Sequence, residues 1–485
     1  VDSGSGDKYT FTEVQDVVHN IAGHLQSLGF SHGTNLAVCA TNCVETLMLV
    51  LASWKLGGMV SLLNPLLKPG ENDVRSVVMV DCNRPQYVKL HFEGFPSFVH
   101  LREPMKQGIE SIPPDVEAGA VILFSSGTTG PPKAVVLSHK NILYGYRTMV
   151  EAGAILAHEW KSQIVYQPMS HAYGLLISMV TMIIGASTII MPRFELKTYL
   201  QLNADFKCEV MMRVPPLAVM FTKNSELVAQ FDLSSIKCIC CGAAFLHPGV
   251  AAELLKIIPT KSLKYITQGY GMTELAGSSH WMPSESFAEK HGAPDSSTSV
   301  GVVMPNTRSS IRDLETHINL PAYRRGEICV SGPGVMMGYL NDDKATAATI
   351  GADGWLKTGD IGYYDSNGYF YVVDRCKELI KYKAHQVSPS EVEDLLLSHP
   401  EIADAGVVGF PDAESGELPS AFIVLKPGVN LRVEEIQQFV AEKAAPFKKL
   451  RGPIVFVSQI PKTASGKILR RCILAELQAK HGNRE

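Results

Sequence analysis

The chain has 485 residues, 46% of them hydrophobic and 19% charged, with 44 Lys and Arg against 48 Asp and Glu for a net charge of -4. That length exceeds one ordinary hydrophobic core and predicts two or three domains, while the composition excludes a disordered chain. The near-balanced charge gives no ground for a nucleic-acid or anionic-membrane partner.

The chain opens at Val1 instead of Met, and Val1–Asp7 is polar, so it reads as a fragment or a trimmed chain with any targeting segment outside it. Predicted elements then alternate. A helix over Thr12–Leu28 stops before Gly29, a plausible cap. A strand follows over Asn35–Ala40, and a helix over Cys43–Lys55 ahead of Gly57-Gly58. Ala120–Phe124 reads as a strand entering a polar loop, and His139–Ala152 as a helix. Ala172–Met191 holds no charged residue and is long enough to span a bilayer. Gly185 divides it and Pro192 ends it, so a buried helix (Leu175–Ile184), a turn and a strand (Thr188–Met191) are expected, and no transmembrane segment.

Ile236–Cys241 reads as a buried strand. It holds Cys238, Cys240 and Cys241 without the further ligands a metal site needs. The ten cysteines are scattered, which makes an intracellular, cytoplasmic setting with reduced thiols the default. A peroxisomal setting stays open, although the C-terminus is not Ser-Lys-Leu. Trp355–Val373 is turn-rich β structure with a hairpin turn at Asp365-Ser366-Asn367-Gly368. The composition changes near Asp374: a basic stretch (Lys377–Lys383), a helix (Pro389–His399) and a strand (Ala405–Val408) follow. The βα alternation predicts an α/β fold with a substantial parallel sheet, divided at about residue 376 into units 1–376 and 377–485.

Ser125-Ser126-Gly127-Thr128-Thr129-Gly130-Pro131-Pro132-Lys133 is the most informative segment. Glycines let the backbone approach phosphate oxygens, hydroxyls and amides donate to them, and Lys133 adds positive charge. The spacing is not that of a Walker loop. This segment resembles the phosphate-binding signature of the adenylate-forming superfamily of acyl-CoA synthetases, adenylation domains and firefly luciferase. Four further segments match in order: Gln268-Gly269-Tyr270-Gly271-Met272-Thr273-Glu274, Lys357-Thr358-Gly359-Asp360, Asp374-Arg375-Cys376-Lys377-Glu378, and Pro461-Lys462-Thr463-Ala464-Ser465-Gly466-Lys467. Met191-Pro192-Arg193-Phe194-Glu195 and Lys381-Tyr382-Lys383 are most similar to 4-coumarate–CoA ligases and related acyl-CoA ligases.

The resemblance implies a large N-terminal domain of several subdomains with mixed and parallel sheets, and a small mobile α+β C-terminal domain. It implies ATP-dependent activation of a small-molecule carboxylic acid, with Mg²⁺ as cofactor and coenzyme A as second substrate. Ser125, Ser126, Gly127, Thr128, Thr129, Gly130 and Lys133 would bind the phosphates. Thr128 and Glu274 would hold the metal, whose hardness suits oxygen ligands. Gly242, Ala243, Ala244, Gln268, Gly269, Tyr270 and Thr273 would line the nucleotide site, with Asp360 and Arg375 on the ribose. Lys467 would be the catalytic lysine of adenylation, placed between two anions that must meet. His171 would lie beside the carboxylate, and Tyr173 and Gly271 in the acyl pocket. Lys377 would be the hinge, with Lys381 serving the second half-reaction and Arg193, Lys383 and Ala384 along the coenzyme A passage. Gln386 matches a further family position.

The sequence departs from the pattern in places. Ala384-His385 stands where these ligases have Gly and an aromatic, and Ala134 follows Lys133 where Gly is usual. Leu275-Ala276-Gly277-Ser278 replaces the segment that shapes a hydroxycinnamate pocket, and the stretch between Pro65 and Ser125 is short for the family. Competing readings are adenylation with weak or no transfer to coenzyme A, luciferase-like chemistry included, and a non-catalytic nucleotide-binding homologue. An amino-acid adenylation domain fits less well, because the run after His171 offers no acidic partner for an ammonium.

Overall fold

A computed structural model describes residues 1–63, 77–78, 98–105, 115–125, 132–151, 160–242, 246, 248–258, 265–283, 292, 294, 298–383, 385–462 and 466–482, and counts and absences below refer to these. The first helix, Phe11–Ser27, begins with a capping box: the Thr10 hydroxyl accepts from the Glu13 N–H, and the Glu13 carboxylate accepts from the Thr10 N–H. Val18, Ile21, Ala22 and Leu25 recur at helical spacing and are buried against the first core.

That core surrounds a six-stranded sheet. Asn35–Cys39, Met59–Leu63, Val77–Val78 and Gly119–Ser125 run parallel, as the βα alternation predicts. Lys133–Ser138 then pairs antiparallel with Gly119–Ser125, and Gly338–Tyr339 adds antiparallel to Lys133–Ser138. The polar segment after Ser125 therefore returns as a strand before the helix His139–Glu151 begins.

A second sheet carries Val210–Arg213, Cys238–Cys241 and Tyr265–Met272 in parallel, continued antiparallel by Gly277–Trp281 and Val302–Val303. Beside these lie two parallel strands, Ser162–Val165 and Ser187–Ile190, and the helix Ala172–Ile183. This helix is buried over most of its circumference, and no described helix is long and apolar enough to cross a membrane.

A four-stranded antiparallel sheet follows, ordered Arg308–Arg312, Gly326–Ser331, Leu356–Tyr364 and Phe370–Arg375. The turn at Asp365–Gly368 closes its last hairpin, with Gly368 at φ +84°. The remaining sheet is built from Ile380–Tyr382, His385–Val387, Ile402–Asp412, Gly416–Leu425 and Ile454–Phe456, flanked by the helices Pro389–Leu397, Val433–Lys443 and Arg470–His481. Ile380, Val387, Val392, Leu396, Val407, Ala421, Ile436 and Val440 form its own core.

Candidate functional site

The centre of the site is set by strand register. Asp360 and Arg375 are direct antiparallel partners, so their side chains meet: Arg375 Nε lies 3.4 Å from Asp360 Oδ1. From the second sheet, Tyr270 Oη donates to Asp360 Oδ2 at 2.6 Å. Burial raises the Asp360 carboxyl above its ordinary value, opposed by Arg375 and the Tyr270 hydrogen bond, with Lys467 acting in the same direction. The carboxylate is thus held by a phenol at one oxygen and by a guanidinium charge at the other.

Lys467 reaches this cluster from the C-terminal unit. Burial and the Arg375 charge lower its ammonium, while Asp360, Glu274 and Glu378 hold it up. Its approach depends on Gly466, which has φ +87° and lies so close to Pro216 that an added Cβ would fall 2.3 Å from Pro216 Cγ. Only glycine meets both demands. Three residues beyond Lys467, Arg470 anchors the following helix. It donates to Glu378 at 2.7 Å and to the Val407 carbonyl at 3.1 Å, and it pairs with Glu393.

Glu274 sits in the 3₁₀ turn Thr273–Leu275, which ends at Ala276 in the left-handed region with φ +54°. Its carboxylate accepts from Tyr339 Oη at 3.0 Å, and Lys133 Nζ lies 4.5 Å from the centroid of the same tyrosine ring. Thr273, Glu274 and Tyr339 are buried, and Lys133 is exposed.

His171 caps the helix Ala172–Ile183: its Nδ1 accepts from the Tyr173 N–H at 3.2 Å. Burial, then the Lys467 charge, lowers its pKa to about 4. The ring is therefore neutral near pH 7, and with Nδ1 accepting, the proton resides on Nε2. Tyr173 Oη contacts Met212 Sδ at 3.8 Å, and Tyr173 lies against Gly242. Gln268 Oε1 accepts from the Leu246 N–H at 3.1 Å, tying down the chain beyond Gly242. Gly269 lies against Trp281, and Gly271 is so close to the neighbouring strand that a Cβ would fall 1.8 Å from the Gly277 carbonyl oxygen.

The structure thus brings together Asp360, Arg375, Tyr270, Glu274, Lys467, His171 and Tyr173, with Lys133 joined through Tyr339. Ser125 ends its strand, paired with Lys133. Arg193, Lys377, Lys381, Lys383 and Gln386 are exposed, and among the described residues none makes a hydrogen bond or ion pair with this cluster. Ser126, Gly127, Thr128, Thr129, Gly130, Ala243, Ala244 and Ala384 lie outside the described residues, as does most of the stretch between Pro65 and Ser125. Sequence reasoning missed Tyr339, Arg470 and His280. Nothing in local spacing marks Tyr339, which stands 65 positions from its partner Glu274.

The sequence profile of the AMP-binding enzyme family matches residues 1–340, and that of the AMP-binding enzyme C-terminal domain matches 391–467. The chain is 36% identical over 507 residues to a 4-coumarate–CoA ligase of Pinus taeda, covering 99% of this chain and 92% of that protein. It is 36% identical over 512 residues to a probable 4-coumarate–CoA ligase of Dictyostelium discoideum, with 97% and 91% covered. Among solved structures, the o-succinylbenzoate coenzyme A synthetase of Bacillus subtilis in complex with ATP and magnesium aligns with TM-score 0.79 at 26% identity, covering 97% of this chain and 95% of that one. ATP-bound MatB from Rhodopseudomonas palustris shares the fold, with TM-score 0.85 at 23% identity and coverage of 99% and 95%.

Proposed function

The chain belongs to the AMP-binding enzyme family, and from that premise we propose that it is an AMP-forming acid–thiol ligase that converts a carboxylic acid to its coenzyme A thioester. In the first half-reaction a carboxylate oxygen attacks the α-phosphorus of ATP, the bond to the pyrophosphate oxygen breaks, and an acyl-adenylate forms. In the second, the coenzyme A thiol attacks the acyl carbon, gives up its proton, and AMP leaves with the electron pair of the broken anhydride bond.

The convergence of Lys467 with Asp360, Arg375, Glu274 and His171 is the observation that carries this reading. Asp360 would accept from the ribose hydroxyls and Arg375 would contact the same sugar. The Lys467 ammonium would stand between carboxylate and α-phosphate and offset their repulsion. His171, neutral with its proton on Nε2, would donate to the acid and orient it for attack. Glu274 offers a buried carboxylate oriented by a phenol, a fit for a hard divalent cation, with Thr128 as its companion ligand. Mg²⁺ held there would neutralise phosphate charge.

The domain division at about residue 376 and the hinge at Lys377 belong to the same proposal. The separate core of the last sheet and the exposure of Lys377 support them. Rotation about this point would withdraw Lys467 and bring Lys381 and Lys383 to the adenylate, with Arg193 and Ala384 along the thiol passage. The buried apolar helix after His171 favours an acid with an uncharged aromatic or aliphatic body. The cysteines described are free thiols, which supports an intracellular, cytoplasmic setting.

A second reading, adenylation with poor transfer to coenzyme A, is favoured by one feature. In the sequence Ala384, directly after Lys383, stands beside the proposed thiol passage where related ligases have glycine. ATP–pyrophosphate exchange with a panel of acids, with and without coenzyme A, tests both. Exchange together with thioester formation on a cinnamate-like or fatty acid is expected. Exchange without thioester would establish the second reading, and a preference for a free amino acid would refute the substrate class.

A further inference from the structure

Tyr339, the phenol that orients Glu274, stands between a cation and an anion of the site. Its strand, Gly338–Tyr339, pairs with Lys133–Ser138, and the neighbouring Met336 N–H donates to the Glu274 carbonyl at 2.9 Å. The ring is therefore fixed by backbone on both sides, and only 8% of its surface is exposed. Its hydroxyl donates to Glu274 Oε1 at 3.0 Å while its face receives Lys133 Nζ at 4.5 Å from the centroid. Among the described residues Lys133 and Glu274 make no ion pair with each other.

We propose that Tyr339 is a positioning residue for the metal–nucleotide complex: its hydroxyl aims the Glu274 carboxylate at the cation, and its ring holds Lys133 at the phosphates. One rigid group thus serves both charges, the carboxylate through its hydroxyl and the ammonium through its ring face. A carboxylate held at one oxygen presents the other in a set direction, which is pre-organisation for a metal. The cation–π contact holds the ammonium without neutralising it.

The inference rests on Glu274 as a metal ligand, and the test separates the two. Mn²⁺ binding to the full-length chain is followed by electron paramagnetic resonance with a non-hydrolysable ATP analogue present, and metal-free binding of that analogue by calorimetry. Tyr339→Phe keeps the ring and removes the hydroxyl. It should weaken Mn²⁺ binding about tenfold or more, the loss expected for a hydrogen bond to a charged group, and leave the metal-free analogue bound as before. Tyr339→Leu removes the ring face as well and should weaken both. Adding Tyr339→Phe to Glu274→Gln should cost nothing further for the metal. Parental Mn²⁺ affinity in Tyr339→Phe overturns the inference, as do additive losses in the double variant or a Tyr339→Phe chain that fails to fold. Parental affinity in Glu274→Gln instead overturns the ligand assignment beneath it.

Discussion

Lys467 is surrounded by Asp360, Glu274 and Glu378 on one hand and Arg375 on the other, so its charge is supported mainly by groups of the larger unit. Lys467→Ala should lower acid-dependent pyrophosphate release by about 10²–10³, typical for loss of a transition-state charge contact. Thioester formation from supplied acyl-adenylate should survive, and equal loss of both half-reactions in a folded variant would refute the two-conformation reading. His280 leads to a different expectation. It is fully buried between Tyr270 and Phe370, and burial lowers its pKa from 6.5 to about 3. An unfolded histidine takes up its proton near pH 6.5, so between about pH 6.5 and about 3 the unfolded state binds more protons and stability is lost as the pH falls. At pH 4.5 this one group should account for about 2–3 kcal/mol. Urea midpoints at pH 7 and 4.5 should therefore separate less in His280→Phe than in the parent; equal separation would exonerate His280. At this scale Asp360, Arg375 and Lys467 were legible because each sits in a short contiguous motif. Tyr339 and His280 were not, because their roles arise from packing between strands distant in the chain.

The segment ahead of the helix Arg470–His481 shows how an element, more than a side chain, places Lys467, the lysine proposed to act in adenylation. Gly466 combines a left-handed backbone with van der Waals approach to Pro216. Gly466→Ala would meet both penalties, about 1–2 kcal/mol of backbone strain and about 1–3 kcal/mol of overpacking. Adenylation should fall at least about tenfold while thioester formation from supplied adenylate is kept. If pyrophosphate release is unchanged, the loop docks elsewhere during catalysis. The hairpin Ile380–Tyr382 to His385–Val387 offers the opposite experiment. In the sequence Ala384 stands where related acyl-CoA ligases have glycine, beside the proposed thiol passage. Ala384→Gly should speed thioester formation and leave pyrophosphate exchange unchanged; single-turnover rates that do not change would show that the methyl obstructs nothing. The parallel sheet was legible from βα alternation, and the buried helix after His171 from its uncharged run. The strand Lys133–Ser138 was not, because it passes into the helix at His139 without a glycine or proline to mark the junction.

Across the whole molecule, Arg325 of the larger unit pairs with Glu391 of the smaller at 2.8 Å, and Glu391 also accepts from Lys448 at 2.7 Å. Arg325 is 54% exposed, so the pair is worth about 0.2–1 kcal/mol and is screened by salt. Arg325→Glu should slow adenylation a few-fold at low ionic strength and match the parent at about 1 M salt, where the Debye length is near 3 Å; a defect that persists in salt would point to packing. Ser125 and Lys133 have a further consequence as paired residues, since the segment they bracket enters and leaves through an antiparallel ladder and no helix begins at its end. The element that follows is the strand Lys133–Ser138 and not a helix N-terminus, so beside the metal part of a bound polyanion's counter-charge would come from discrete side chains, and of these Lys467 belongs to the part of the chain proposed to turn. Turning would then change the electroneutrality of the site as well as its shape. Pyrophosphate affinity would drop as the thiol route opens, and product dissociation and conformational exchange would be one kinetic event.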